Sequence, residues 1–194
     1  MIKGYNFYSI INLFLSLCYT KVFHSSAKLI RLPVSVRGGK HIIFGKNFIS
    51  GRYCRIDAFS NSGNKVIFGE NCQINDSVHI ASVQKVLIGS NVLIASRVFI
   101  TDHQHGSYSG SVQSSALELA KERKLVSSPV IIEDNVWLGE GAVVLPGVTI
   151  GENSVIGANA VVTKNIPMNS IACGVPAKVI KVYDTTTSKW INVE

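Results

Sequence analysis

The chain has 194 residues, 46% hydrophobic and 16% charged, which suits one folded domain with a real core and excludes a disordered polyelectrolyte. Its net charge of +7 is uneven: residues 1–56 carry nine Lys or Arg and no Asp or Glu, whereas the remainder holds ten basic and twelve acidic residues. A basic end of this kind suits an anionic membrane surface, a phosphorylated substrate or nucleic acid. No recognition-helix pattern, RNP motif or zinc-finger spacing accompanies it, so nucleic acid is not an expected partner.

Residues 4–20 carry no charge and many large apolar side chains. The segment is shorter than the ~20 apolar residues a membrane span needs. Its polar residues, Asn6, Ser9, Asn12, Ser16 and Thr20, fall at helical spacing and form one stripe opposite Phe7, Ile11, Leu15 and Leu17. An amphipathic helix is expected, either packed on protein or lying in a membrane interface beside Lys3, Lys21 and Lys28. No small-residue cleavage site follows, so a removed signal peptide is not expected. Residues 1–40 read as this helix and a basic lead-in.

From residue 41 a six-residue period takes over. Phe44, Ser50, Ile56, Ser62, Phe68, Ile74 and Ile80 form a first column; a two-residue insertion near residues 82–86 shifts it to Ile88, Ile94 and Ile100. Four cysteines, Cys18, Cys54, Cys72 and Cys173, are too sparse for a disulfide scaffold and contain no C-x-x-C, which points to a reducing, cytoplasmic compartment. Cys54 and Cys72 are eighteen residues apart, one coil of three hexads, and are expected to stack ~5 Å apart as reduced core thiols.

Between residues 101 and 129 the period stops. A loop of this length in a compact domain is usually functional, and it opens with Thr101-Asp102-His103-Gln104-His105-Gly106. A neutral imidazole, with an ordinary pKa of ~6.5, suits removal of a proton from an attacking hydroxyl. Asp102 is a tempting orienter for His103, but neighbours on an extended segment point to opposite sides, so the orienter is left unassigned. A loop histidine can also simply cap the backbone, a reading that weighs more for His105.

The cleanest repeat follows: Ile132, Leu138, Val144, Ile150, Ile156, Val162 and Met168, with a second, mostly small set at Val136, Ala142, Val148, Ser154, Ala160 and Ile166. Counted with the upstream hexads this gives seventeen, or nearly six coils of a parallel β-solenoid. Residues 41–182 are expected to form it and residues 183–194 a tail. Periodicity does not set its hand.

The segment IIEDNVWLGEGAVVLPGVTIGENSVIGANAVVTKNIPMNSIACGVPAKVIK resembles the hexapeptide-repeat acyltransferases, in which the repeat, a Trp-Leu-Gly element and a closing Gly-Val-Pro-Ala-Lys-Val-Ile element occur in this order. The likeness covers roughly residues 40–182 and is greatest to bacterial lipopolysaccharide, O-antigen and capsule O-acetyltransferases, with galactoside and maltose acetyltransferases also similar. It implies an all-β, left-handed parallel β-helix, homotrimeric, that moves acetyl from acetyl-CoA to a sugar hydroxyl of a surface polysaccharide precursor. Thr-Asp-His matches the family's Thr-x-His and implies His103 as general base.

Further roles follow from the resemblance. Asn75, with Asp76 and His105, would meet the acceptor; an Asn-Asp corner turn is the competing reading for the first two. Trp137 would lie near the thioester, the backbone around Ala142 and Ala158 along the pantetheine arm, and Thr163 with Lys164 beyond it. Lys178 and Lys181 would stand near the nucleotide phosphates or belong to an ordinary solvated face. A basic, amphipathic N-terminus suits a lipid-linked glycan at the inner membrane. No metal is expected. Two alternatives remain: a non-catalytic solenoid scaffold, and a zinc hydratase of the carbonic anhydrase type recruiting His79, His103 and His105.

Overall fold

The computed structural model describes residues 6–59, 63 and 65–193. Lys3 and Ser62 lie outside the described residues. Helix α1 (Phe7–Phe23) opens the chain, its first turn capped by the Asn6 side chain, which accepts the Ser9 N–H at 2.8 Å. Beyond it the chain winds as a left-handed parallel β-helix with three flat faces.

Face A stacks Leu29–Ile30, Ile49–Ser50, Gln73–Ile74, Leu93–Ile94, Trp137–Leu138, Val155–Ile156 and Ser170–Cys173 in parallel, then adds Lys178–Asp184 and Lys189–Asn192 antiparallel. Face B stacks Val34–Arg37, Cys54–Ala58, His79–Ser82, Phe99–Thr101, Val143–Val144 and Val161–Val162. Face C stacks Ile42–Ile43, Val66–Phe68, Val86–Ile88, Val130–Ile132 and Thr149–Ile150. Two strands ahead of the expected boundary at residue 41 therefore already belong to the solenoid. The expected tail contributes a strand as well.

The aliphatic columns point inward because each short strand buries alternate residues against the next rung. Ile56, Ile80, Ile100, Val144 and Val162 line face B from within, and Ile74, Ile94, Leu138 and Ile156 line face A, all essentially inaccessible. Each such side chain contributes about 1.5–3 kcal/mol by leaving water. The glycines that follow the column are set by close approach: a Cβ on Gly139 would sit 2.6 Å from the Ala158 nitrogen, and one on Gly151 2.3 Å from that of Met168.

The corner between faces C and A turns through one left-handed residue per coil, and in every described case it is asparagine: Asn47, Asn71, Asn91, Asn135, Asn153 and Asn169, with φ between 54° and 62°. Asparagine tolerates this region better than other non-glycine residues. Here its amide also bonds vertically, Asn47 to Asn71 at 2.9 Å and Asn135 to Asn153 at 2.8 Å.

Three expectations change. The corner from face B to face C is longer than a hexad in the early coils, so Arg55 pairs with His79 rather than with a residue eighteen positions on. Cys54 and Cys72 consequently sit on different faces: the rung of Cys54 rests on that of Val78, and the rung of Cys72 on that of Val92. At the far end Ile150 bridges Ile166, which is buried, while Met168 is half exposed. The column thus closes through Ile166. Lastly, α1 is inverted relative to the usual amphipathic pattern. Ser16 Oγ accepts the Leu32 N–H at 3.0 Å and Thr20 Oγ1 accepts the Ile30 N–H at 2.8 Å, so its polar stripe seats on the first coil. Phe7, Tyr8, Phe14, Leu15, Val22 and Phe23 are left facing outward.

Because the column is continuous, Ile80→Ala is expected to destabilise the fold by about 2–5 kcal/mol. Urea unfolding with an unchanged midpoint would show that the column does not carry stability.

Candidate active site

The chain leaves face B at Thr101, makes an arm, and rejoins face C at Val130. The base of the arm is a two-stranded antiparallel ribbon of His103–His105 with Leu125–Ser127. Asp102 sits at the bend between the parallel rung, where Thr101 pairs with Ala81, and this ribbon. That bend overturns the alternation expected of an extended segment. Asp102 and His103 side chains turn to the same side, and Asp102 Oδ1 lies 2.9 Å from His103 Nδ1.

Asp102 is wholly buried and saturated with donors. Ser82 Oγ donates at 2.7 Å, and the N–H groups of Val83, Gln84 and Lys85, the corner of the preceding coil, donate at 2.9, 2.7 and 2.6 Å. Burial pushes its carboxyl up, but the bonds from Val83, Ser82, His103 and Gln84 together outweigh that and hold it below the ordinary carboxylate range. An ionised Asp102 accepting at Nδ1 selects the His103 tautomer that donates there, which leaves the Nε2 lone pair for chemistry. Thr101 Oγ1 lies 3.3 Å from the same Nδ1, and the Phe59 ring meets the imidazole edge-on at 6.3 Å.

Above the ribbon is a cleft of about 310 Å³, lined by Gln104 and residues 126–128 of the arm and by Leu145, Pro146 and Thr163 of the next coils. It runs along the corner between faces B and C; His103 does not line it, but its chain neighbour Gln104 and its ribbon partner Ser127 do. Another cavity, of about 700 Å³, lies at the N-terminal end of the solenoid between α1 and Phe44 and receives no arm residue.

The other candidates divide into groups. Thr163 and the exposed Lys164 share the corner of His103. Asn75, Asp76 and Ala158 stand at the corner between faces A and B, with the half-exposed Trp137 on face A beside them. Asp76 Oδ1 accepts the Arg52 N–H at 2.7 Å, and Asp134 does the same for Ser90 at another corner, so Asp76 is engaged in turn formation. Asn75 Oδ1 accepts from Gln73 at 3.2 Å. Ala142 is wholly buried, with its N–H on Gly139 and its carbonyl on Phe99, which assigns it to the core. His105 is exposed on the arm and its carbonyl accepts the Tyr108 hydroxyl. Lys178 is exposed and Lys181 half-buried on the antiparallel strand that covers the last coil.

Residues that sequence reasoning missed are Ser82, Phe59 and an ionic cluster on face B of Arg37, Arg55 and Asp57. His79, expected as a rung residue, is paired between Arg55 and Phe99 and also lies 3.5 Å from Asp57. Among the described residues no group of three or more His, Cys, Asp or Glu is arranged to hold a metal ion. Cys54 is buried, and burial pushes its thiol up to about 11, which leaves it a poor nucleophile.

The depressed carboxyl of Asp102 makes it a source of acid sensitivity. A folded value below the unfolded one adds stability that is present above the ordinary carboxylate range and is lost as pH falls through the folded value. Urea midpoints measured from neutral to acid pH are expected to fall less steeply in Asp102→Asn than in the parent; equal slopes would remove Asp102 as a contributor.

Comparison with known proteins agrees with this architecture. Residues 129–164 match the family described as bacterial transferase hexapeptide (six repeats). Over 189 residues, 97% of this chain and 95% of the other, it is 46% identical to WbbJ of Escherichia coli K12, described as a candidate lipopolysaccharide biosynthesis O-acetyl transferase. The galactoside O-acetyltransferase of the same organism is 42% identical over 61% of this chain and 55% of its own length. Among solved structures, AntD, an N-acyltransferase from Bacillus cereus, superposes with a TM-score of 0.69 at 21% identity over 83% of this chain and 84% of that one. VCA0836 of Vibrio cholerae, a hexapeptide-repeat acetyltransferase in complex with acetyl-CoA, gives 0.57 at 25% identity over 81% and 68%. The inward hexad columns, the arm at the break in the repeat and the near full-length likeness to WbbJ place this chain in the hexapeptide-repeat acyltransferase family.

Proposed function

We propose that this protein transfers acetyl from acetyl-CoA to a sugar hydroxyl of a surface polysaccharide precursor, with His103 as general base. The observation that carries this is the Asp102–His103 pair at the base of the arm, where the six-residue period breaks. Nε2 of His103 takes the proton of the acceptor hydroxyl as its oxygen attacks the thioester carbonyl. The carbon–sulfur bond then breaks, and the departing CoA sulfur recovers that proton from the imidazolium. Asp102 is the positioning residue: it fixes the tautomer and offsets the positive charge that His103 gains. No acyl-enzyme is needed.

Acetyl-CoA would enter along the cleft past Thr163 and Lys164, with Lys178 and Lys181 toward its phosphates. Trp137 on face A, and Ala158 and Asn75 on the corner beside it, stand away from the corner of His103, so a site using both groups needs a second copy. A homotrimer supplies one, setting neighbouring solenoids corner to corner. Support for an O-linked glycan acceptor comes from the likeness to WbbJ. His103→Ala is expected to lower kcat by about 10²–10⁴-fold while leaving CoA binding and a native mass of three chains in place. Full activity in that variant would sink the assignment, and a native mass of one chain would sink the trimer.

The outward apolar face of α1 supports contact with an anionic bilayer, because it lies beside Lys21 and Lys28 in a region without acidic residues up to Asp57. Among the described residues no helix is long and apolar enough to cross a membrane, so the helix would lie in the interface and hold the enzyme near a lipid-linked glycan. Co-sedimentation with phosphatidylglycerol vesicles, weaker with phosphatidylcholine and lost in Phe14→Glu/Val22→Glu, is the expected result. Binding that ignores lipid charge, or persists in the double variant, would overturn it.

A further inference from the structure

Face B carries a charged arrangement that the proton transfer at His103 does not use. Asp57 is wholly buried, and Arg37 grips it as a fork, Nε to Oδ1 at 2.6 Å and Nη2 to Oδ2 at 2.8 Å. Arg55, two residues before Asp57 on the same strand and side, adds Nε to Oδ2 at 2.6 Å. One carboxylate thus faces two guanidinium groups, whose side chains are 51% and 49% exposed. One positive charge is left over.

Folding alone does not call for it. A single bidentate arginine already neutralises a carboxylate, and a buried ion pair is seldom more stabilising than apolar residues of the same volume. The second arginine puts a half-exposed cation where the Asp57 carboxylate is already engaged. A guanidinium offers five N–H donors, and the fork leaves Nη1 of Arg37 outside it.

The cluster also lies close to the base. Arg37 Cζ is 5.2 Å from the Phe59 ring centroid, and Phe59 in turn meets His103 edge-on at 6.3 Å. Arg37, Asp57, Ala81 and Thr101 pair in succession across face B, so Asp57 and Thr101 are two rungs apart, about 10 Å. Ala81, between them, projects only a methyl group. His79 and Phe99 lie side by side in the neighbouring column of the same face, ring centroids 5.0 Å apart and planes tilted by 34°.

We infer that Arg37 and Arg55, held by Asp57, form an anion-binding subsite of the acceptor, one that takes a carboxylate or phosphate carried about a sugar ring away from the hydroxyl to be acylated. The inference rests on the reading of His103 as the reacting end. Its consequence is a preference for acidic over neutral acceptors. The anion could be a carboxylate of the sugar or the phosphate that links a sugar to its carrier.

Calorimetric titration of the full chain with methyl glucoside, methyl glucuronide and glucose 1-phosphate tests it without turnover. At least one acidic probe is expected to bind about tenfold more tightly than the neutral one. The glucuronide as the tighter binder identifies a sugar carboxylate; glucose 1-phosphate identifies a phosphate link. Arg55→Gln leaves the Arg37–Asp57 fork intact and is expected to remove most of that preference. Arg37→Gln/Arg55→Gln/Asp57→Asn, which leaves no buried carboxylate without a partner, is expected to remove all of it. Equal binding of all three probes by the parent, or a preference that survives the triple variant, would overturn the subsite. Absence of acetyl transfer to any acceptor would instead overturn the proposed reaction, and the binding series would still stand.

Discussion

Every rung of this solenoid must lie about 4.8 Å above the one below and in register with it, because the backbone bonds of each strand are made to the neighbouring coils. Two of the three corners obey this with constant spacing: Gln73 to His79 and Leu93 to Phe99 across one, Ile67 to Gln73 and Leu87 to Leu93 across another. The third absorbs all the variation. From face B to face C the chain takes the steps Arg55 to Ile67, His79 to Leu87, Phe99 to Ile131 and Val143 to Thr149. The arm that carries His103 stands where length is free to change, since a corner that can grow can carry an arm without moving the core.

Asp102 is where the arm is tied back to the coil. Its oxygens collect the corner of the preceding coil through Val83, Gln84 and Lys85 and present one remaining edge to His103. The side chain that ties the arm to the coil also holds the imidazole, so fold stability and the orientation of His103 are joined in one residue.

The downstream repeat was legible because nothing interrupts it: Ile132 through Val162 keep one step of six and all turn inward. Upstream, the same step misleads across the corner near residues 59–65, which is why Cys54 and Cys72 were expected to stack. His103 stands out as a candidate from the break in the period and a family motif. Its partner could not, because the alternation of an extended chain separates Asp102 from His103 and only the bend at Asp102 restores them to one side. Arg37 and Asp57 are twenty residues apart in sequence but adjacent on face B, a spacing set by the first coil, where no clean period is visible. The orientation of α1 was hidden for a different reason. Pattern reasoning turns an apolar face toward protein, and here two hydroxyls, Ser16 and Thr20, make the inward bonds instead.

The asparagine column also bears on how this protein ages. Its amides sit one rung apart and several bond directly to the next, so each is tolerable partly because it is neutral. Slow hydrolysis of one amide to a carboxylate would replace a vertical donor with a second acceptor, and hydrolysis of two neighbours would stack like charges at strand spacing. The residues that follow them, Phe48, Cys72, Val92, Val136, Ser154 and Ser170, include no glycine and are all buried or nearly so. Packed into the core, they resist the backbone movement that the cyclisation behind such hydrolysis requires. The corner that fixes the register is thereby shielded from the chemistry that would undo it.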